Sequence, residues 1–381
     1  MKRFDVAVVG VGGMGSSACY HLARRGLSVL GLDQFSIPSS RGSSHGITRI
    51  LRLGLHESEK YVPLVLRAVE LWDELGTLSQ EKIFHRIGSL DVALPNRPVF
   101  QGSLKSCATC GIEHEVLDEA ELRRRFPALH PEEGMMGVHQ PGSGFVLPEV
   151  AVCAHVNLAL AAGAEIHGME RVIGWERKGG EYQIRTERDT YAAGQMVVTA
   201  GAWAGKILRD FGVPVEAERT VLGWFSPVER AEYFTAERLP VWIVDSQEAG
   251  HFYGFPTHGV PGFKLGRLRE HPVDIVDPDL LRREPDRVDE ADMRSFLRQC
   301  FPDANGPVLS MQACFFENSP DRAPIIDELV ADEGLFVVGG FSGHGFKYAS
   351  VMGEIVADLV ERREQPFDLS PFSLKRFALR V

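Results

Sequence analysis

The chain has 381 residues, of which 44% are hydrophobic and 24% charged, and this length and balance predict a globular protein of about two domains. They exclude a disordered chain, a collagen and a coiled coil as descriptions of the whole. The 41 Lys and Arg residues against 52 Asp and Glu give a formal net charge of −11, which disfavours nucleic acid as a partner because nucleic acids select basic surfaces.

The amino-terminal segment predicts a strand–helix–strand unit. The β-branched run at 4–9 predicts a buried parallel strand, the pattern at 14–25 is helical, and the apolar run at 27–32 predicts a second strand. Such a unit of about 30 residues is the size of a dinucleotide-binding βαβ unit.

Glycines with a functional spacing follow the first strand. The first permits a tight turn, the second lets the backbone approach a pyrophosphate, and the third lets helix and strand pack closely. The helix N-terminus offers N–H groups to phosphates, and an acidic residue ending the second strand can accept a hydrogen bond from ribose. These residues are Gly10, Gly12, Gly15 and Asp33. They predict a site for NAD or FAD, which the motif does not distinguish; the alternative is a purely structural turn.

The remaining elements predict a mixed chain. Helices are predicted at 57–75, 148–162, 289–300 and from the end of a glycine-rich run at 339–345 to about residue 360. Strands are predicted at 88–94, 169–175, 182–187, 195–199 and 335–338. Between residues 215 and 314, short runs of Val, Phe and Trp separated by Pro and Gly turns predict an antiparallel sheet.

Two cationic segments are candidates for binding an anion. Arg49 and Arg52, three residues apart, would share one face of a helix, and could bind a carboxylate or the negative charge that develops on a flavin. A solvated basic face is the alternative. The glycine-rich run at 339–345 leads into a predicted helix that begins near Lys347, and backbone N–H groups at this helix start could hold an anion. The alternative is that Lys347 is an ordinary lysine in the first turn of a helix.

Six cysteines are dispersed along the chain, which favours a reducing cytoplasm over a secreted disulfide framework. Cys314, among apolar residues, has the pattern of a buried small hydrophobic residue. Cys107 and Cys110 have no second pair and no suitably spaced histidines, so we predict no metal site. No segment reaches the roughly 18 uninterrupted apolar residues of a transmembrane helix, so we expect no membrane association.

The chain resembles a known family in segments spread over nearly its whole length: FDVAVVGVGGMGSS, GSSHGITRILR, YVPLVLRAVELWDEL, TAGAW, YGFP, FKLG, ACFFENSPD and FSGHGFKYASVMGE. The family is that of the single-chain, covalently flavinylated amine oxidases exemplified by monomeric sarcosine oxidase and N-methyltryptophan oxidase. It is a branch of the D-amino-acid-oxidase-like flavoproteins. The later segments are more specific to this family than the glycine motif.

The resemblance implies a role for individual residues. By position, Cys314 would bond to the 8α carbon of FAD, and Lys264 would promote the reaction of reduced flavin with oxygen. His45 and Arg49 would lie against the flavin ring. The substrate would be bound by Arg52 and Lys347, which hold its carboxylate, and by Tyr253, which lines the pocket. The implied cofactor-binding set is Gly10, Gly12, Gly15, Asp33, Ser43, Val172, Cys314, Gly343, Gly345 and Lys347.

The resemblance also implies an α/β fold with a Rossmann-like FAD-binding domain and an inserted antiparallel-sheet (α+β) substrate domain. The first domain would comprise residues 1–80, 145–213 and 320–381, and the second 81–144 and 214–319. Departures from the family pattern fall mainly at the substrate pocket. They are Ser44 and Ile47, where relatives often have His and Asp, Leu268, where a histidine is usual, and Phe316, where a tyrosine is usual.

The implied reaction is the oxidation of a secondary amino acid, N-methyl or cyclic, to an imine, with oxygen reduced to hydrogen peroxide. The partners would be the small-molecule substrate and O2, in a monomer or weak oligomer. One alternative is an FAD-dependent amino-acid dehydrogenase that uses another electron acceptor. The other is a non-catalytic dinucleotide-binding protein.

Overall fold

The computed structural model describes residues 1–269, 274–329 and 333–377. Its helices are α1 (Gly13–Arg24), α2 (Val62–Ser79), α3 (Pro98–Cys110), α4 (Glu119–Arg125), α5 (Pro148–Ala161), α6 (Ala204–Ile207), α7 (Arg287–Cys300) and α8 (Ala349–Val360). Its strands are β1 (Lys2–Val9), β2 (Val29–Leu32), β3 (Arg49–Leu51), β4 (Phe84–Arg86), β5 (Ser89–Ala93), β6 (Glu115–Leu117), β7 (Met136–Gln140), β8 (Gly144–Val146), β9 (Glu165–His167), β10 (Val172–Lys178), β11 (Glu181–Thr186), β12 (Thr190–Val198), β13 (Glu216–Phe225), β14 (Val241–Ser246), β15 (Gly250–Phe255), β16 (Phe263–Arg267), β17 (Val308–Asn318), β18 (Ile325–Glu328) and β19 (Leu335–Gly339).

The first sheet has a parallel centre. Its order is β10-β11-β12-β1-β2-β9, with β19 also pairing with β12 and β18 with β19. β1 runs parallel to β12 and β2, and β12 runs parallel to β19. Val6 and Val8 belong to a core that includes α1 and α8, whereas Ala7 and Val9 belong to a second core. Because successive side chains of a strand point to opposite faces, this sheet is buried on both sides.

The second sheet has the order β17-β13-β16-β15-β14-β5-β7-β6. Its pairs are antiparallel except that β14 runs parallel to β5, so the expectation of an antiparallel sheet holds for all but this pair. α7 covers it with Phe296, whose ring stacks on those of Trp242 and Phe252 at centroid distances of 5.6 and 4.3 Å. A small third sheet, β3-β8-β4, completes the set.

The prediction that Arg49 and Arg52 share one face of a helix is wrong. Residues Arg49–Leu51 form β3, and Arg49 pairs with Val146 of β8. A three-residue spacing of like residues fits a helix, but long-range pairing with β8 decides the conformation here.

Helix α2 begins five residues later than the predicted start at residue 57. Residues Glu59–Tyr61 form one 3₁₀ turn, capped by the Ser58 side chain, and Pro63 follows at the second position of α2. Proline is tolerated in the first turn of a helix but not in its interior, so it marks the boundary. Other predicted helices agree closely, since α5 and α7 start at Pro148 and Arg287.

The mixed α/β architecture predicted from the sequence is confirmed. Strands of the first sheet come from residues 2–9, 29–32, 165–198 and 325–339, and those of the second from 89–93, 115–140 and 216–318. The division into two domains at the stated boundaries stays a prediction. Among the described residues, no helix is long and apolar enough to cross a membrane.

Candidate active site

The turn between β1 and α1 needs glycine for three different reasons. Gly10 has φ +96°, and a Cβ there would lie 2.6 Å from the carbonyl oxygen of Thr199. A Cβ on Gly15 would lie 1.8 Å from the Gly10 oxygen, so α1 packs directly on the turn. A Cβ on Gly12 would meet only Ser44 Oγ, at 3.7 Å. The backbone at Gly12 is therefore open, as the close approach of a diphosphate requires.

Asp33 lies beside this turn at the end of β2. Its Oδ2 accepts a hydrogen bond from the N–H of Val11 at 2.8 Å, and its Oδ1 accepts one from Phe35 at 2.8 Å. Burial raises the pKa of Asp33 above its usual value, against the effect of these two N–H groups. The carboxyl is thus fixed against the glycine turn, where a ribose would be bound.

A cavity of about 580 Å³ extends from the glycine turn to the second sheet. The predicted site residues that line it are Gly10, Gly12, Asp33, Ser43, Arg49, Arg52, Val172, Tyr253, Cys314, Gly343, Gly345 and Lys347. Gly15, His45 and Lys264 are not part of its lining. One cavity thus brings together most of the predicted site residues, which come from widely separated segments of the sequence.

Cys314 lies on β17 in the cavity wall and is buried. Arg49 Nη2 donates to its sulfur at 3.7 Å. Burial raises its pKa, but the interactions with His45, which include a hydrogen bond, and with the Arg49 guanidinium outweigh this effect and lower the pKa to about 6. By contrast, burial raises the pKa of Cys19 and of Cys300 to about 12. Because the thiolate is the nucleophilic form, Cys314 is chemically distinct from these two cysteines.

Lys264, on β16, is buried behind the loop that precedes β3. Its Nζ donates to the carbonyl oxygens of Gly46 and Thr48 at 2.6 and 2.8 Å and to Thr48 Oγ1 at 3.0 Å. Nζ also lies 4.3 Å from the ring centroid of Phe255. Burial, and then the charge of Arg49, lower its pKa well below the usual value. The ammonium group therefore holds the loop and does not line the cavity.

Glu149, which sequence reasoning missed, holds the same loop from the start of α5. Its carboxylate accepts hydrogen bonds from the N–H groups of Gly46, at 2.6 Å, and Ile47, at 3.1 Å. Ile47 has φ +73°, a left-handed conformation that is unfavourable for a β-branched residue. The loop is thus held between a buried cation and a carboxylate, which offsets the strain at Ile47.

Arg52 is buried and its two terminal nitrogens are engaged by protein groups. Nη1 donates to Asp91 Oδ2 at 2.9 Å and to Nδ1 of His56 at 2.8 Å. Nη2 donates to both carboxylate oxygens of Glu57, at 3.0 and 3.1 Å. Burial lowers the pKa of His56 to about 3, so the ring is neutral and its Nδ1 can accept. The signal for Asp91 was a charged residue within the apolar run SLDVA.

Lys347 reaches the same cluster from the end of the glycine-rich run. Its Nζ donates to the carbonyl oxygen of His344 at 2.6 Å and lies 3.8 Å from Glu57 Oε1. Burial lowers its pKa to about 8, although Glu57 opposes this effect. Arg52 and Lys347 are thus brought together at one carboxylate, Glu57, which lines the cavity with them.

The remaining wall near this cluster is largely apolar. Ile243, Tyr253, Phe255, Leu268 and Phe316 contribute to it. Burial raises the pKa of Tyr253 well above its usual value, so its hydroxyl stays protonated. Two of the departures from the family pattern, Leu268 and Phe316, therefore lie in the wall of the cavity and make it more apolar.

Residues 5–359 match the model of the DAO family, described as FAD dependent oxidoreductase. The chain belongs to this family. The resemblance stated from the sequence is confirmed, and the alternative of a non-catalytic dinucleotide-binding protein is wrong, because the DAO family consists of FAD-dependent oxidoreductases.

Relatives within the DAO family match over almost the full length. The chain is 38% identical over 378 residues to monomeric sarcosine oxidase from Streptomyces avermitilis, with 98% of each chain covered. It is 35% identical over 376 residues to N-methyl-L-tryptophan oxidase from Yersinia pestis, with 98% of this chain and 99% of the relative covered.

Solved structures share the fold. The structure of NikD, an unusual amino acid oxidase essential for nikkomycin biosynthesis, superimposes with a TM-score of 0.84 at 24% identity, covering 98% of each chain. Glycine oxidase from Geobacillus kaustophilus superimposes with a TM-score of 0.81 at 23% identity, covering 99% of each chain.

The cavity of this DAO-family chain fits FAD. Besides the open backbone at Gly12, two polar atoms of cavity-lining residues, Ser43 Oγ and His344 Nδ1, are buried with no hydrogen-bond partner among the described residues. Buried polar atoms are nearly always paired in folded proteins. A bound cofactor would supply the missing partners, and the glycine turn with Asp33 would hold its nucleotide end.

Proposed function

We propose that this chain is an oxidase of secondary amino acids, N-methyl or cyclic, that forms an imine and reduces O2 to hydrogen peroxide. FAD, when bound, would supply the acceptor for the hydride removed from the carbon next to nitrogen. The observation that carries the proposal is the meeting of Arg52 and Lys347, 295 positions apart in sequence, at a cavity also lined by Cys314. The cytoplasmic location and the monomeric or weakly oligomeric state belong to the same proposal.

The cluster around Arg52 determines how a substrate carboxylate would enter. Its two cations, Arg52 and Lys347, face two carboxylates, Glu57 and Asp91, so their formal charges cancel. Since Asp91 is fully buried and Glu57 lines the cavity, Glu57 is the group that a substrate carboxylate would displace. Arg52 can then offer its planar pair of N–H groups, while Lys347 acts as a point charge.

The arrangement also orients the amine. A carboxylate held at Arg52 and Lys347 leaves the rest of the substrate against the apolar wall at Tyr253 and Phe255. An apolar wall excludes water and favours the uncharged amine over the ammonium ion. The neutral amine is the form from which a hydride can leave, so the wall serves the reaction as well as binding.

The pH dependence of substrate binding follows from Lys347. Its pKa of about 8 means that the ammonium group is charged below pH 8 and neutral above it. We therefore expect kcat/KM for an N-methyl amino acid to fall as the pH rises through about 8, because one of two cations is lost. Lys347→Arg, which stays charged, is the matched control and should move the fall to higher pH. An unchanged profile in that variant would contradict the assignment.

We further propose that FAD is attached covalently through Cys314, which the lowered pKa and the contact with Arg49 support. Wild-type protein denatured in acid should carry its yellow colour into the pellet. Cys314→Ala should release the flavin into the supernatant, because the bond to the protein is then absent. Cys300→Ala is the matched control, since this thiol is equally buried but does not line the cavity. Flavin in the wild-type supernatant would refute covalent attachment.

One observation favours a second candidate, an FAD-dependent dehydrogenase with another electron acceptor. Lys264, which the resemblance assigns to the oxygen reaction, is engaged by three acceptor atoms of the 46–48 loop and its pKa is well below the usual value. An Nζ that is occupied by these acceptors and lies outside the cavity lining is less available to promote the reaction with oxygen. Turnover with an artificial acceptor under nitrogen, compared with turnover in air, separates the two functions.

A further inference from the structure

Glu317 presents a carboxyl group to the cavity with one oxygen unpaired. It lies on β17, three residues after Cys314, and lines the cavity wall. Its Oε2 is buried and has no hydrogen-bond partner among the described residues. Leaving a buried polar atom without a partner costs more than a hydrogen bond returns. This oxygen therefore needs a partner that the described residues do not supply.

The position of Glu317 indicates what that partner is. A Cβ added to Gly339 would lie 3.6 Å from Glu317 Oε2, and a Cβ added to Gly201 would lie 3.7 Å from it. Gly339 ends β19 and Gly201 follows β12, and these strands are parallel neighbours in the first sheet. Nucleotide cofactors bind at the carboxyl ends of parallel strands, where Gly10 and Asp33 also lie. Glu317 thus reaches from the second sheet to the cofactor-binding edge of the first.

The titratable residues beside Glu317 on β13 and on the loop after β17 are paired with other groups. The partner of Glu317 on β13 is Ala217, and the adjacent Glu218 accepts a hydrogen bond from Asn318 Nδ2 at 2.8 Å. On the loop after β17, Asp321 is paired with Arg376.

Glu317 holds its proton at neutral pH more strongly than an exposed glutamate does. Burial raises its pKa to about 7, and the N–H groups of Phe341 and Gly340 oppose this effect. A carboxylate at the edge that receives a diphosphate would be repelled by it, whereas a protonated carboxyl offers an O–H donor. The phosphates of a bound dinucleotide would raise the pKa further, because like charge disfavours ionisation.

We propose that Glu317 is a cofactor-binding residue, which donates a hydrogen bond from its protonated carboxyl to an oxygen of bound FAD. The oxygen belongs to the ribityl chain or the diphosphate, both of which offer acceptors. This role requires only that the chain binds FAD, so it does not depend on the identity of the amine or of the electron acceptor. Binding of FAD is then linked to protonation of Glu317.

The test measures FAD binding to the apoprotein of a Cys314→Ala background, in which binding is reversible, by quenching of flavin fluorescence at pH 6 and pH 9. Affinity should fall from pH 6 to pH 9 in this parent. Glu317→Gln keeps a donor and cannot ionise, so its affinity should stay close to the parent's value at pH 6 and depend less on pH. Glu317→Leu should bind FAD about 2- to 12-fold more weakly than Glu317→Gln at pH 6, as expected for one lost hydrogen bond. Glu216→Gln, an exposed position on β13, is the control.

A second measurement uses the wild-type holoenzyme. The infrared difference between wild type and Glu317→Gln at pH 6 should contain the C=O band of a protonated carboxyl, with a small shift in D2O. The proposal is overturned if this band is absent, if Glu317→Gln keeps the pH dependence of the parent, or if Gln and Leu bind FAD equally well.

Discussion

Lys264→Met is expected to slow the reaction of the reduced enzyme with O2 about 100-fold or more. Removing one preorganised electrostatic group near a developing charge costs about 2.7–4 kcal/mol of barrier, and methionine keeps most of the length of the side chain. Stopped-flow absorbance, started by mixing substrate-reduced enzyme with oxygenated buffer, gives the rate directly. Reduction by substrate under nitrogen should change much less, since Arg52 and Lys347 are left in place.

The structural role of Lys264 requires a control for this experiment. Lys264 also holds the 46–48 loop through Gly46 and Thr48, so a general loss of folding must be separated from a loss of oxygen reactivity. The melting temperature and flavin content of the variant serve this purpose. Lys105→Met, at an exposed lysine paired with Glu59, should react at the wild-type rate. Reoxidation of Lys264→Met at wild-type speed would refute the role of Lys264.

Arg52→Ala is expected to lower kcat/KM for an N-methyl amino acid roughly 10- to 150-fold, because a charge-assisted hydrogen bond is worth about 1.5–3 kcal/mol. The corresponding decarboxylated amine should be affected far less, since it has no carboxylate to lose. Arg52→Lys should also be impaired, because lysine cannot form two parallel hydrogen bonds. Steady-state kinetics with both substrates gives the comparison.

Removing Arg52 leaves Asp91 buried without its cation, which lowers stability. Asp91→Asn in combination with Arg52→Ala relieves that charge and keeps the experiment interpretable. Arg86→Ala, at an exposed residue paired with Asp73, is the surface control. If wild type prefers the amine, or if Arg52→Ala discriminates as well as wild type does, the carboxylate assignment is wrong.

Local sequence predicts the first βαβ unit well because most of its requirements lie within it, although Gly10 is also required by the close approach of Thr199. The turn needs glycine because a side chain would collide with the backbone, as between Gly15 and Gly10. Asp33 is the residue directly after β2, and this position brings its carboxylate to the turn. The three-residue spacing of Arg49 and Arg52 predicts a helix, whereas the pairing that makes Arg49–Leu51 a strand is with β8, about 100 positions away. Such pairing leaves no trace in local periodicity.

The sequence did not predict which carboxylates belong to the site. Glu57, Glu149 and Glu317 lie in segments whose pattern predicts surface charge or an ordinary strand, and only the fold brings them to the cavity or the loop beside it. Asp91 was the exception that carried a signal, as a charge inside an apolar strand. The cationic residues were found through family resemblance, since two arginines three residues apart are equally typical of a solvated surface.

The most direct test of the proposed function is the stoichiometry of the reaction in air. Purified yellow holoenzyme, mixed with a limiting amount of an N-methyl or cyclic amino acid, should consume one O2 and release one hydrogen peroxide for each substrate oxidised, as measured with an oxygen electrode and a peroxidase-coupled assay. The decarboxylated amine should react much more slowly. Flavin bleaching by the amino acid without peroxide release would contradict the oxidase and favour the dehydrogenase, and no bleaching by any amino acid would contradict the proposed substrate class.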